Sequence, residues 1–281
     1  MKKLFLSLAL VFACVASVLA QTSDYEQVFL QMMQVGGVSA ADNLRTDNIR
    51  GSFTKILVSE GLSEKKAQKK VDKYLQEQAL YDLAHVLAPY FEESVSLEAM
   101  NECLTSLQDP EFRQIYAKMN STSKVVSEKT SAIVEDNIVD FMMGIQPAPV
   151  QLDKRVNDTF LQLIQEYNSA NNATETFKSM VEPLKGLLSS SEMSEEDQNV
   201  LNKTFDTMLT YLADNTNALT ANALVGAVSA DEMKLYIDKI KQPAWQEYIT
   251  GSAQAATAIV RDAMNMGLRL IASFQVWAKH I

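Results

Sequence analysis

Few residues in this 281-residue chain have the types and spacing that chemistry needs. Histidine occurs twice, as His85 inside YDLAHVLAPY and as the penultimate His280, each far in sequence from a second soft ligand. Zinc sites draw on clustered Cys and His, and the chain has no D-x-D-x-D-G loop for calcium. No metal and no cofactor are therefore expected. A Ser–His–Asp triad would have to use His85, because a side chain beside the C-terminus is a poor general base. The stretch around His85 reads as helix, and no G-x-S-x-G elbow accompanies it. Cys103 falls on an apolar stripe, whereas a reactive thiol wants an electropositive and partly exposed setting. No Gly-rich loop is present to cradle phosphates. The paired acids Glu92-Glu93 and Glu195 to Asp197 could serve a hydrolase. The second set follows Ser194, however, where a helix start favours negative charge for structural reasons alone.

Two features point to binding rather than catalysis. In SEKKAQKKVDK, Lys65, Lys66, Lys69, Lys70 and Lys73 form a basic stripe over about two helical turns, inside an acidic protein. The C-terminal segment carries Ile259, Ala263, Met266, Leu270, Phe274, Trp277 and Ile281 at helical spacing, widened by Val260, Met264, Leu268 and Ile271. That is more apolar surface than a helix with one buried side needs. Burial inside the protein accounts for it; a ligand or partner surface made of Met266, Leu270, Phe274 and Trp277 is the sharper expectation. Lys65, Lys69 and Lys73 are the matching candidates for an anionic ligand or a complementary partner.

The elements that must hold these residues are helices. Glycine and proline are scarce, at nine and six residues, and Ala, Leu, Met, Glu, Gln and Lys dominate. No sustained period-2 alternation and no Asn-Gly or Asp-Gly turn marks a strand. In AVSADEMKLYIDKIKQPAWQEYI, Met233, Tyr236, Ile237 and Ile240 recur at spacings of three and four. Ser229 and Glu232 form a capping-box pattern ahead of them, and Pro243 ends one helix and starts the next. The predicted fold class is all-α.

The same pattern occurs upstream in SVSLEAMNECLTSLQDPEFRQIY. Val95-Ser96, Met100, Leu104, Leu107, Pro110 and Phe112 precede Val228-Ser229, Met233, Ile237, Ile240, Pro243 and Trp245 by a constant 133 residues. FLQMMQ from Phe29 matches FLQLIQ from Phe160, LSEK at Leu62 matches MSEE at Met193, and SAIVED at Ser131 matches TAIVRD at Thr257. Four ordered blocks at nearly one offset predict a tandem duplication. Residues 21–146 and 153–281 would be helical repeats of about five helices each, forming a bundle or short array. QPAPVQ, with residues 147–152, would be the linker. Each repeat would have one helix near its start and one ending at Leu62 or Met193. A long helix, a short helix after Ser96 or Ser229, and a long last helix would follow.

The Val-Ser, Met, Leu, Leu, Pro, aromatic arrangement on an all-helical chain resembles the bacterial family known as domain of unknown function 2059. In that family a helix ends at a Ser/Thr-Pro-x-Gly turn before the next begins. Here QDPEF and KQPAW keep the proline without the flanking Ser/Thr and Gly. The resemblance implies an exported helical protein, carries no assigned activity and transfers no site residues.

Export is also predicted from MKKLFLSLALVFACVASVLA. Lys2 and Lys3 precede an apolar core from Leu4 to Val18, and Val18-Leu19-Ala20 places small residues around a cleavage point before Gln21. A lipoprotein leader using Cys14 is the runner-up, with bulky Phe12 against it. Removing residues 1–20 takes away two lysines and no acid, moving the formal charge from −10 to −12. Such a chain is not expected to bind nucleic acid through phosphates. Later apolar stretches are broken by charges such as Arg261, Asp262 and Arg269, so no transmembrane segment is predicted after the leader. The reading that results is a bacterial exported protein, periplasmic or secreted, without enzymatic activity, that binds an envelope protein or a small apolar or anionic ligand. A helical hydrolase using acidic residues and a chaperone-like envelope protein are the alternatives.

Overall fold

The computed structural model describes residues 23–36, 46–172 and 193–280, with scattered positions between 175 and 186. Among them the chain forms eleven α-helices and no β-strand, so the fold is all-α as the sequence predicts. The leader expected at residues 1–20, Cys14 and Ile281 lie outside the described residues. The first six helices are α1 (Asp24–Val35), α2 (Thr46–Ser59), α3 (Glu64–Glu77), α4 (Ala79–Glu92), α5 (Leu97–Gln108) and α6 (Pro110–Met143). The rest are α7 (Asp158–Ala170), α8 (Glu195–Leu224), α9 (Ala230–Ile240), α10 (Pro243–Arg261) and α11 (Ala263–His280). None of the described helices is long and apolar enough to cross a membrane.

Short polar side chains start most of these helices, because the first turn has N–H groups without intrahelical acceptors. Ser23, Ser96, Asp109, Asn157 and Ser194 each accept a hydrogen bond from an N–H in the first turn of α1, α5, α6, α7 and α8. Ser229 and Glu232 form the full capping box on α9. Pro110 and Pro243 occupy the first turns of α6 and α10, where a missing N–H costs nothing.

Two expected long helices are broken instead. Residues 64–92 divide at Gln78, whose backbone leaves helical geometry at φ −123° and ψ −33°. Tyr74 Oη donates to Asp82 across that break at 2.7 Å, and Gln78 Nε2 donates to the same carboxylate at 2.9 Å. The last helix breaks at Asp262, at φ −104° and ψ 16°. Tyr90 Oη on α4 donates to Asp262 at 2.5 Å, and Asn265 in the first turn of α11 donates to it as well. Both bends are held by a carboxylate whose partners lie on the two sides of a bend or on a neighbouring helix. Periodicity along one segment carries no sign of such a contact. α6 also kinks, at Asn137 with φ −119° and ψ 16°.

Helix packing is mostly between segments distant in sequence. α1 lies against α4 and α5, and α7 against α8 and α9. α6 runs along α8 and over α9, while α10 packs on α4 and α5, and α11 on α3 and α4. One main core runs through these contacts. A smaller cluster of Phe141, Met208, Tyr211, Leu212 and Leu219 fills the seam between the distal parts of α6 and α8.

Trp245 of α10 is 2 % exposed and Phe112 of α6 is fully buried. Their rings meet edge to face at 5.6 Å, and Tyr116 lies 5.6 Å from the same indole. Removing each such side chain from water contributes about 1.5–3 kcal/mol, and the edge-to-face pairing adds about 0.5–1.5 kcal/mol.

The segment between α6 and α7 is strapped down rather than loose. Tyr211 Oη donates to the Ala148 carbonyl at 2.9 Å, and the Val150 N–H donates to Asn215 Oδ1 at 2.7 Å. Asn222 accepts from the Asp153 N–H and donates to the Gln151 carbonyl, so one amide holds two backbone groups. These α8 side chains supply the partners that an extended segment cannot provide for itself.

Two glycines separate packing from propensity. A Cβ on Gly251 of α10 would collide with Val95 Cγ2 and stand 2.6 Å from the Ser94 carbonyl oxygen, whereas one on Gly267 of α11 would meet nothing within 4 Å. Gly251→Ala is expected to destabilise the protein by about 1–3 kcal/mol through overpacking. Gly267→Ala is expected to stabilise it by about 0.5–1 kcal/mol, as a helix interior favours alanine. Urea unfolding of both variants measures the opposite signs.

Candidate functional site

The residues best suited to chemistry are spread over the molecule. His85 on α4 is exposed, and its Nδ1 lies 3.1 Å from Glu26 Oε2 on α1. Glu92 and Glu93 stand at the end of α4, and Glu195 to Asp197 at the start of α8. Ser194 accepts from the Asp197 N–H at 3.1 Å, so the second acidic group serves a helix start. Cys103 is fully buried in α5, and burial pushes its thiol up to about 12, with Glu102 and Glu247 adding to the shift. Among the described residues, no three His, Cys, Asp or Glu side chains come together as metal ligands.

The candidate surface on the last helix is turned into the protein. Leu270 and Phe274 are buried, and Met266 and Trp277 are partly buried against the main core. Phe274 stacks on Phe53 of α2 at 4.1 Å and meets Tyr74 of α3 edge to face at 5.0 Å, while Trp277 lies 5.2 Å from Tyr74. Phe274 and Trp277 thus hold α11 on α2 and α3, while Met266 and Trp277 keep part of their surface exposed. Of the residues widening that face, Met264 and Leu268 are the ones left exposed.

The basic stripe remains on the surface of α3. Lys65, Lys69 and Lys73 are exposed, with Lys73 paired to Glu77 at 3.8 Å. Lys70 differs from them, because its Nζ donates to the Ala278 carbonyl at 2.8 Å. There it neutralises the negative end of α11.

A cleft lies elsewhere, between the outer face of α5 and the start of α10. Its volume is about 450 Å³. Glu98, Asn101, Glu102, Thr105 and Ser106 line one wall, and Gln242, Ala244 and Trp245 the other. Spacings of three and four put the α5 residues on one stripe. Asn101, Thr105 and Ser106 donate back to carbonyls of their own helix. Gln242 makes no side-chain hydrogen bond to the first turn of α10, unlike the capping residues of α5, α6 and α9. The cleft therefore offers two carboxylates one turn apart and a positive helix start. Sequence reasoning missed it because the α5 residues read as an ordinary solvated face, and nothing local announces that α10 stands opposite.

A smaller cleft of about 180 Å³ lies between α6, α7 and α8. Hydroxyl and amide side chains such as Thr122, Asn168, Asn171 and Thr220 line it, and no charged residue does. No protein-family model, no curated protein and no solved structure matches the chain.

Two carboxylates tie helices that are distant in sequence. Glu247 on α10 accepts from the Ser96 N–H at 2.7 Å, and Glu232 accepts from the Ser229 N–H at 2.8 Å and from Lys118 Nζ of α6 at 2.5 Å. For Glu232, the Lys118 hydrogen bond and then the Ser229 N–H hold the carboxyl below its usual 4.5; for Glu247 the Ser96 N–H does so. A lowered folded-state pKa stabilises the protein fully above the ordinary carboxylate value. That contribution is lost as pH falls through the lower folded value. Thermal unfolding from pH 6 to pH 3 is expected to show less acid loss for Glu232→Gln than for the parent chain. A second expectation concerns Cys103: its thiol should resist alkylation at about pH 8, where a free thiol reacts, and react once urea unfolds the protein.

Proposed function

We propose that this chain is an exported, non-enzymatic binding protein whose ligand is a segment of an envelope protein. The α5–α10 cleft carries the reading. Its Glu98 and Glu102 favour a cationic group, and the uncapped start of α10 favours a hydrogen-bond acceptor. A peptide segment with a Lys or Arg side chain beside its own carbonyl groups supplies both. A small anionic ligand fits this acidic wall less well, and a small apolar one has lost the α11 face to the core. The leader predicted at residues 1–20 and the resemblance to the family of exported helical proteins support placement in a bacterial envelope.

The architecture we infer behind this function is a duplicated unit. Three packing contacts have a counterpart displaced by one repeat: α1 on α5 and α7 on α9, α1 on α4 and α7 on α8, α5 on α10 and α9 on α6. α6 runs along α8 as α10 and α11 run along α4 and α3. The kink at Asn137 directly follows the SAIVED block and the break at Asp262 ends the TAIVRD block, so the two, with similar backbone angles, align within one residue. Phe112 and Trp245, the aligned aromatics, touch one another. This arrangement supports two copies that exchange their last helices, with the cleft where one copy's short helix meets the other's exchanged helix.

Native mass spectrometry of residues 21–281 isolated from their own envelope fraction tests the binding reading. The expected result is an added protein mass that is retained at least ten-fold less by the Glu98→Gln, Glu102→Gln variant. A bare chain, or equal retention by the variant, would overturn the proposal.

A further inference from the structure

Exposed apolar residues collect at the end of α6. Ile138, Val139, Met142 and Met143 fall in its last two turns and Ile145 follows it, each at least 40 % exposed. Lys203 Nζ of α8 donates to the Met143 carbonyl at 2.9 Å, which puts the start of α8 beside this patch. Acids surround it: residues 135–145 and 194–203 together hold six Asp or Glu and one Lys, a formal charge of −5. Contiguous apolar surface with a charged rim marks an interaction site more often than chance exposure.

The counterpart helix pair has the opposite charge. The start of α3 and the end of α11 meet through Lys70 and through the Tyr74–Trp277 contact. Residues 64–73 and 274–280 hold six Lys and two acids, a formal charge of +4 with histidine neutral. Val276 adds an apolar group that is 55 % exposed. Lysine side chains also carry methylene stems that can cover apolar surface while the ammonium groups reach carboxylates.

We propose that the chain self-associates head to tail, the acidic apolar end of α6–α8 on one molecule docking on the basic end of α3–α11 on a second copy. Charge complementarity selects the occupant, since a second copy presents both surfaces and an anionic membrane would be repelled by the acidic end. The two surfaces differ, so one contact leaves the other surface of each molecule open, and assembly continues to a ring or filament. The proposal is independent of the α5–α10 cleft, so its failure leaves the binding reading standing.

Sedimentation velocity on residues 21–281 tests it. Species larger than a monomer are expected at low ionic strength, and at least ten-fold fewer at about 1 M salt, where charges are screened beyond about 3 Å. One variant reverses the basic end with Lys65→Glu, Lys66→Glu and Lys69→Glu, sparing the Lys70 cap. The other reverses the acidic end with Asp136→Lys, Asp140→Lys and Glu196→Lys. Each alone is expected to stay monomeric with a native helical spectrum. Their equimolar mixture is expected to regain assembly, because it retains one intact surface of each kind and the two reversed ends are opposite in charge. A parent chain that is monomeric at low salt, assembly that survives either reversal, or binding to anionic vesicles in place of self-association would overturn the proposal.

Discussion

The seat of Trp245 against Phe112 and Tyr116 is the contact on which the rest of the molecule depends. α10 cannot bury its indole on its own neighbours in sequence, and α6 cannot cover Phe112 with its own. Each supplies the other's missing wall, and in doing so brings α5 against α10 and α9 against α6. Most of the stabilising area is therefore non-local. Such a topology slows folding, because loop entropy is lost before the contacts that offset it form. It also makes the described helices interdependent: neither end of the chain has a core complete without the other.

Apolar packing dominates this centre at some cost to polar groups. Trp245 Nε1 and Tyr25 Oη are buried without a hydrogen-bond partner, and an unmade bond of this kind costs about 1–3 kcal/mol. Burial pushes the Tyr236 and Tyr248 phenols far above their usual range, which keeps them neutral. Neutral hydroxyls and an unpaired indole are tolerated because the rings around them gain more from exclusion of water. The surface follows the opposite rule. Charge is segregated there, with lysines at the start of α3 and acids at the start of α8, helices that begin with the similar LSEK and MSEE.

The candidate site is a consequence of this assembly rather than a motif. Its wall on α5 is five polar side chains at helical spacing, and its other wall is the start of α10 with the outer edge of Trp245. Glu247 and Gly251 set how closely α10 approaches. The carboxylate of Glu247 takes the free Ser96 N–H, and the missing side chain of Gly251 admits Val95 and the Ser94 carbonyl. A cleft built on two well-packed helices keeps its shape without a ligand, which lowers the entropy lost on binding.

Local chemistry in the sequence was enough for the helix class, the capping box at Ser229, the helix boundaries at Pro110 and Pro243, and the apolar character of Met233, Ile237 and Ile240. Each of these is settled within a few residues, by a side chain reaching the next turn or by a missing N–H. The direction in which an apolar face is satisfied is not a local property. Phe274 and Trp277 could have faced a ligand or a core; Phe53 and Tyr74 drew their rings toward the core by packing against them. The bends at Gln78 and Asp262 depend on Tyr74, Asp82 and Tyr90, and Lys70 differs from Lys69 solely because a helix end lies within its reach. The cleft between α5 and α10 belongs to the same class. Its residues are ordinary helix-surface types, and only the tertiary structure sets a helix start opposite them, because contacts across long sequence separations arise from packing rather than from spacing.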